Sequence, residues 1–74
     1  MNEEILKKII SKFLKISPDQ INDHTILDNS VLQGSILFHR MISRINDYFQ
    51  IEIKDYHKIK NYSNLVSAIN DEKK

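Results

Sequence analysis

Ser35 is the residue of this sequence best placed to do chemistry. It follows the chain's only glycine and stands at the head of an amphipathic run, residues 36–49. A helical period in that run puts Ser35 in the first turn of a helix, where backbone N–H groups are unpaired and the partial charge is positive. A phosphate esterified to the serine hydroxyl would be favoured at such a position. The same position also suits a serine that only caps the helix.

The chain lacks the groups that would activate this serine. No Gly-x-Ser-x-Gly motif surrounds Ser35, and His24, His39 and His57 do not have the paired spacing of a metal-binding helix. A single glycine cannot build a phosphate-binding glycine-rich loop, and the absence of cysteine excludes thiolate metal sites and disulfides. We therefore expect no catalytic residue and no metal site. The chain is predicted not to be an enzyme, and a separate enzyme would have to modify Ser35.

Three apolar stripes with helical spacing predict an all-α bundle. We expect main helices near residues 3–15, 35–48 and 62–70, and a short helical turn around residues 55–60. Ser17-Pro18 has the pattern of a cap followed by a first-turn proline, and Asn61 that of a cap for the last helix. The predicted core positions of the first two helices are Ile5, Leu6, Ile9, Ile10, Phe13, Leu14, Leu37, Phe38, Met41, Ile42, Ile45 and Phe49.

Two connections join these helices. The longer one, residues 22–32, is polar with apolar anchors at Ile26, Leu27, Val31 and Leu32. In the shorter one, Ile51 and Ile53 flank the charged Glu52, and this alternation of apolar and polar residues is typical of a strand. Because no second strand is available to pair with it, we expect an extended connector whose isoleucines enter the core.

The length and composition of the chain limit the number of domains and the kind of protein it can be. Seventy-four residues with 41% hydrophobic content fit one domain, residues 1–74, and we expect a monomer. Glu3 and Glu4 precede the first apolar residues, and no uninterrupted apolar stretch follows, so we expect neither a signal peptide nor a membrane span. The predicted location is the cytoplasm.

The sequence continues beyond the second helix as Phe49-Gln50-Ile51-Glu52-Ile53. With the helices around it, this pattern resembles the acyl carrier protein family over almost the full chain. Members carry an Asp-Ser-Leu triplet whose serine bears 4′-phosphopantetheine, and Gly34-Ser35-Ile36 aligns with it. The ungapped spacing from Ser35 to Phe49 is more specific than the triplet itself.

The resemblance implies a carrier function. Ser35 would hold the 4′-phosphopantetheine arm next to Gly34 and Ile36, with Leu37 and Met41 also flanking its base. The thiol of the arm would carry an acyl or related cargo as a thioester, in fatty acid, polyketide or secondary metabolite synthesis. The implied partners are a phosphopantetheinyl transferase and acyl-transferring or synthase enzymes.

The chain departs from the family in two ways. Gly34 stands where the family has an acidic residue that caps the helix and helps the transferase engage the site. The second helix, which is typically acidic in the family, carries His39, Arg40 and Arg44 and no acid in residues 36–46. We infer that these three residues contact partners with an acidic or apolar docking surface.

One alternative has a different function. The chain could be a degenerate carrier fold without a prosthetic group, which uses its arginines to dock an acidic protein partner. Nucleic acid is a poorer partner, because the formal net charge is only +1 and ten acidic residues are spread through the chain.

Overall fold

The computed structural model describes residues 2–27, 35–54 and 56–72, with Ser35 described by its backbone alone. These described residues contain three α-helices: α1 (Glu3–Leu14), α2 (Ser35–Phe49) and α3 (Tyr62–Glu72). Short 3-10 turns at Pro18–Gln20 and Tyr56–Lys58 precede α2 and α3. This confirms the predicted all-α bundle, and each main helix begins at the predicted residue and ends within two residues of the predicted position.

Each helix contributes one pair of side chains with no exposed surface to a single core. The members of a pair stand four residues apart, so they lie one above the other on the same helix face. The three pairs are Leu6 and Ile10 on α1, Met41 and Ile45 on α2, and Leu65 and Ile69 on α3. The predicted core stripes are therefore confirmed at their centres.

The stripes are less buried at their margins. Ile9, Phe13 and Leu14 on α1 are only half-buried, and Leu37 on α2 is 36% exposed. The expectation that Leu37 packs in the core is wrong. Four-residue steps advance about 40° around a helix, so Leu37 lies about 80° from Ile45 and reaches the edge of the core face.

The ends of α1 show why the helix has these limits. The Asn2 side chain caps the start, accepting hydrogen bonds from the N–H groups of Glu4 at 3.0 Å and Ile5 at 3.4 Å. The helix ends because Lys15 adopts the left-handed region, with φ of 60° and ψ of 40°, and its N–H donates to the Ser11 carbonyl at 2.8 Å.

The described part of the long connection is attached to the start of α3. The Leu27 N–H donates to the Lys60 carbonyl, and the Tyr62 N–H donates to the Thr25 carbonyl, both at 2.9 Å. Leu27 is fully buried, as predicted, but Ile26 is 45% exposed, so its assignment as an anchor is wrong. Adjacent side chains of an extended segment point to opposite faces, and only one of the two can enter the core. Val31 and Leu32 lie outside the described residues.

Asn46 holds the short connection after α2 in place. Its backbone carbonyl accepts the Ile51 N–H, and its side-chain Oδ1 accepts the Ile53 N–H, both at 3.0 Å. Gln50, between them, has a positive φ of 57° that turns the chain out of α2. Ile53 is buried and Ile51 half-buried, which confirms the predicted extended connector.

The predicted caps before the 3-10 turn and before α3 are also confirmed. The Ser17 hydroxyl accepts the Asp19 N–H at 3.4 Å, and the Ser17 N–H donates to the Gln20 side chain at 3.0 Å. Asn61 Oδ1 accepts the Asn64 N–H at 2.9 Å, and Asn64 Oδ1 accepts the Asn61 N–H at 3.3 Å in return.

Candidate functional site

Ser35 is the first residue of α2. In any α-helix the first N–H groups have no partner within the helix, and they give that end a partial positive charge. None of the first-turn residues of α2 is acidic, so no carboxylate of that turn offsets this charge. Gly34, which stands where the acyl carrier protein family has an acidic residue, lies outside the described residues. The start of α2 is thus suited electrostatically to an anionic group.

The residues after Ser35 differ in how accessible they are. Ile36 is 73% exposed and Leu37 36% exposed, so both offer apolar surface beside the start of the helix. Met41 has no exposed surface, and the expectation that it flanks the base of an arm is wrong. The reason is that Met41 shares the core-facing row of α2 with Ile45, one turn further on.

His39 is exposed and lies one turn beyond Ser35. Its ring meets the Tyr56 ring edge-on, with the centroids 4.8 Å apart and the planes at 72°. Tyr56 also contacts the buried Phe38 edge-on, at a centroid distance of 5.9 Å. The second 3-10 turn therefore packs beside the N-terminal half of α2, and its tyrosine fixes one side of the surface near Ser35.

Arg40 and Arg44 lie on α2 with exposed side chains, one helical turn apart. Two adjoining recesses between α2 and the C-terminal half of α1 share Phe13 and Arg44. Ile36 and Arg40 line the first recess, and Ile9 and Lys12 line the second. We call the two recesses together the α1–α2 groove. Ser43, His39 and Asp47 extend its α2 side.

The structure thus brings Ile36, His39, Arg40 and Arg44 onto one face that begins at Ser35. The sequence interpretation missed the contribution of α1, because the apolar stripe assigned Phe13 to the core. Phe13 is half-buried and lines the groove opposite Arg44. No local sequence pattern indicates this contribution, because it depends on how closely α1 approaches α2.

Other kinds of site are not found in the described residues. Residues 2–27, 35–54 and 56–72 contain no group of three His, Asp or Glu side chains arranged to hold a metal ion. None of the helices in those ranges combines the length and the apolar character needed to cross a membrane.

No protein-family model matches the chain, and a search of curated proteins finds no significant match.

Proposed function

We propose that this chain is a carrier protein of the acyl carrier type, with Ser35 as the attachment point of a 4′-phosphopantetheine arm. The observation that carries the proposal is the position of Ser35 at the first residue of α2, immediately before the exposed Ile36. The order of helices and the extended connector that follows α2 agree with the resemblance to the acyl carrier protein family.

The residues at the start of α2 fit the proposed group. The phosphate of the arm would lie at the positive end of the helix, where the first turn has no carboxylate to repel it. The exposed side chains of Ile36 and Leu37 would contact the apolar part of the arm next to the phosphate. The arm would supply a thiol for thioester chemistry, which a chain without cysteine cannot supply itself.

Attachment requires a separate enzyme. The serine oxygen forms a new bond to the phosphorus that bears pantetheine in coenzyme A, and the pyrophosphate bond breaks. The adenosine bisphosphate half leaves, and the serine proton passes to a base of the transferase. This chain contributes the hydroxyl and the surface that the transferase recognises. We propose no catalytic role for any of its residues.

The surface beside Ser35 would set the choice of partner. His39, Arg40 and Arg44 are exposed on the face that begins at Ser35. A positive face attracts acidic surfaces and repels basic ones over about a Debye length, roughly 8–10 Å. The partner enzymes of this carrier would therefore present acidic or apolar docking surfaces.

A second candidate function is a binding module that keeps the carrier fold without the arm. Two observations favour it: Gly34 replaces the acidic residue that transferases engage in the family, and Arg40 and Arg44 are exposed on α2. In this case the arginines would dock an acidic protein partner directly.

Intact-mass analysis distinguishes the two candidates. The protein is incubated with coenzyme A, magnesium and a broad-specificity phosphopantetheinyl transferase, and in parallel with a transferase from the source organism. The carrier proposal predicts the addition of one phosphopantetheine group with at least one enzyme and none with the Ser35→Ala variant. The binding module predicts no addition with either enzyme.

A further inference from the structure

The α1–α2 groove combines an apolar floor with a positive rim. Ile9 and Phe13 are half-buried on the α1 side, and the 73% exposed Ile36 stands on the α2 side. Lys12, Arg40 and Arg44 all have exposed side chains around these apolar groups. Cations around an apolar recess are the complement of a segment that has carboxylates beside its apolar side chains.

Within the part of the chain that the structure describes, the side chains of Lys12, Arg40 and Arg44 make no hydrogen bond or ion pair. Glu3 and Glu4 lie in the first turn of α1, at its opposite end. Asp47 is the one acid that lines the described groove, and it follows Arg44 toward the end of α2.

We propose that the α1–α2 groove binds an acidic amphipathic helical segment of a partner protein. Apolar side chains of that segment would contact Ile9, Phe13 and Ile36, and its carboxylates would pair with Lys12, Arg40 and Arg44. The proposal goes beyond the carrier function, because none of the residues that would contact the segment holds the arm, and the groove would bind the segment whether or not an arm is attached.

The spacing of the arginines favours a helix as the occupant. Arg40 and Arg44 are one helical turn apart, about 6 Å along α2. Carboxylates four residues apart on a partner helix have the same spacing, and each guanidinium can hold one of them with two parallel hydrogen bonds. Apolar side chains on the adjoining face of such a helix would then meet the floor of the groove.

Other polyanions fit less well. A nucleic acid needs a long row of cations, whereas this chain has a formal net charge of only +1. A membrane surface needs apolar side chains that project outward between the cations. Of the three apolar groups only Ile36 projects outward, whereas Ile9 and Phe13 lie half-buried between two helices, where a protruding side chain can reach them and a flat lipid surface cannot.

The direct test uses a synthetic amphipathic peptide with leucine on one face and glutamate on both sides of it. A second peptide keeps the leucines and replaces each glutamate with lysine. Binding to the full chain is measured by fluorescence anisotropy at several salt concentrations, and the contact surface is mapped by amide chemical shifts. Vesicles of phosphatidylserine and phosphatidylcholine, and a single-stranded RNA, are titrated in parallel.

The variants separate local contacts from net charge. The double variant Lys12→Glu/Arg44→Glu alters the groove, and Lys54→Glu/Lys60→Glu makes the same charge change at exposed lysines outside it. We expect the groove variant to raise Kd at least about tenfold and the control to change it by less than about twofold in moderate salt. Ile36→Ser, at an exposed position, should weaken binding by about threefold through lost apolar contact. Circular dichroism verifies that each variant is folded.

We expect the glutamate peptide to bind, the lysine peptide not to bind, and the shifted amides to fall on α1 and α2 around the groove. The inference is overturned if the glutamate peptide fails to bind folded protein, if both double variants weaken it equally, or if vesicles or RNA bind at these residues in preference to the peptide. The Ser35→Ala variant should bind the peptide as the wild type does, so failure of the carrier function would leave this result unchanged.

Discussion

The Tyr62 hydroxyl donates a hydrogen bond of 2.8 Å to the Glu3 carboxylate, joining the first turn of α3 to the first turn of α1. Tyr62 is 1% exposed, and the Lys7 ammonium lies 5.6 Å from the centroid of its ring. Burial of the phenol, followed by its hydrogen bond to the neighbouring carboxylate, raises the pKa of Tyr62 well above its ordinary value of 10. The start of α1 is thereby held against α3.

Tyr62→Phe should destabilise the protein by about 1 kcal/mol at neutral pH, because one hydrogen bond is lost and the ring still fills the same space. The difference should depend on pH. The folded state keeps the phenol protonated, whereas the unfolded chain releases the proton near pH 10. The contribution of Tyr62 is therefore complete below pH 10 and declines as the pH rises above it.

Urea unfolding of the wild type and of Tyr62→Phe across pH 7 to 11 measures both effects. Tyr48→Phe, at a tyrosine that is 53% exposed, controls for the loss of a phenol hydroxyl. A stability difference that stays constant above pH 10 would contradict this account of the Tyr62–Glu3 contact.

Asn46→Ala should cost about 1–2 kcal/mol, because the part-buried Ile53 N–H loses its acceptor. Asn46→Asp keeps an oxygen at the same place and should lose less, although a negative charge near the end of α2 is itself unfavourable. Amide hydrogen exchange gives the specific readout. The Ile53 amide should exchange faster in the alanine variant and remain protected in the aspartate variant. Equal protection in both would mean that the side chain of Asn46 does not hold the connector.

Lys15→Gly should stabilise the protein by about 1 kcal/mol, because glycine adopts the left-handed region at the end of α1 without the steric cost of a Cβ. The gain is partly offset by the loss of a cation near the helix C-terminus. Lys15→Ala loses the same charge and keeps the Cβ, so it should be no more stable than the wild type. In thermal unfolding, Lys15→Gly should have a higher Tm than the wild type, and Lys15→Ala should have a Tm equal to or lower than that of the wild type. Any other order would argue against left-handed strain at this position.

The sequence was sufficient to predict the three helices, because each has a clear apolar stripe and the second and third are preceded by a glycine and by a capping asparagine. The sequence was also sufficient to predict an extended connector at Ile53, because it offers no second strand with which this segment could pair. Features that depend on distant contacts were not predictable. Local pattern does not indicate that Tyr62 reaches Glu3, 59 residues earlier, or which of Ile26 and Leu27 turns inward.

The candidate site was only partly predictable, because some of its residues come together through contacts between distant parts of the chain. His39, Arg40 and Arg44 lie on one helix, so their common face follows from spacing alone. The groove also needs Phe13 and Lys12 from α1, and the approach of two helices cannot be derived from either stripe by itself. Met41 shows the reverse case: its proximity to Ser35 in sequence suggested a role beside the arm, but the helix turns it into the core. The attachment of an arm at Ser35 stays a prediction.

Site-resolved mass spectrometry after incubation with coenzyme A, magnesium and a transferase shows whether Ser35 accepts the arm. The wild type and Ser43→Ala, which removes an exposed serine from the same helix, should each gain one phosphopantetheine group, located on the peptide that contains Ser35. Ser35→Ala should gain none, and Gly34→Asp should be modified at least as fast as the wild type. An unmodified wild type with both the broad-specificity and the native transferase, or an adduct that persists in Ser35→Ala, would contradict the carrier function.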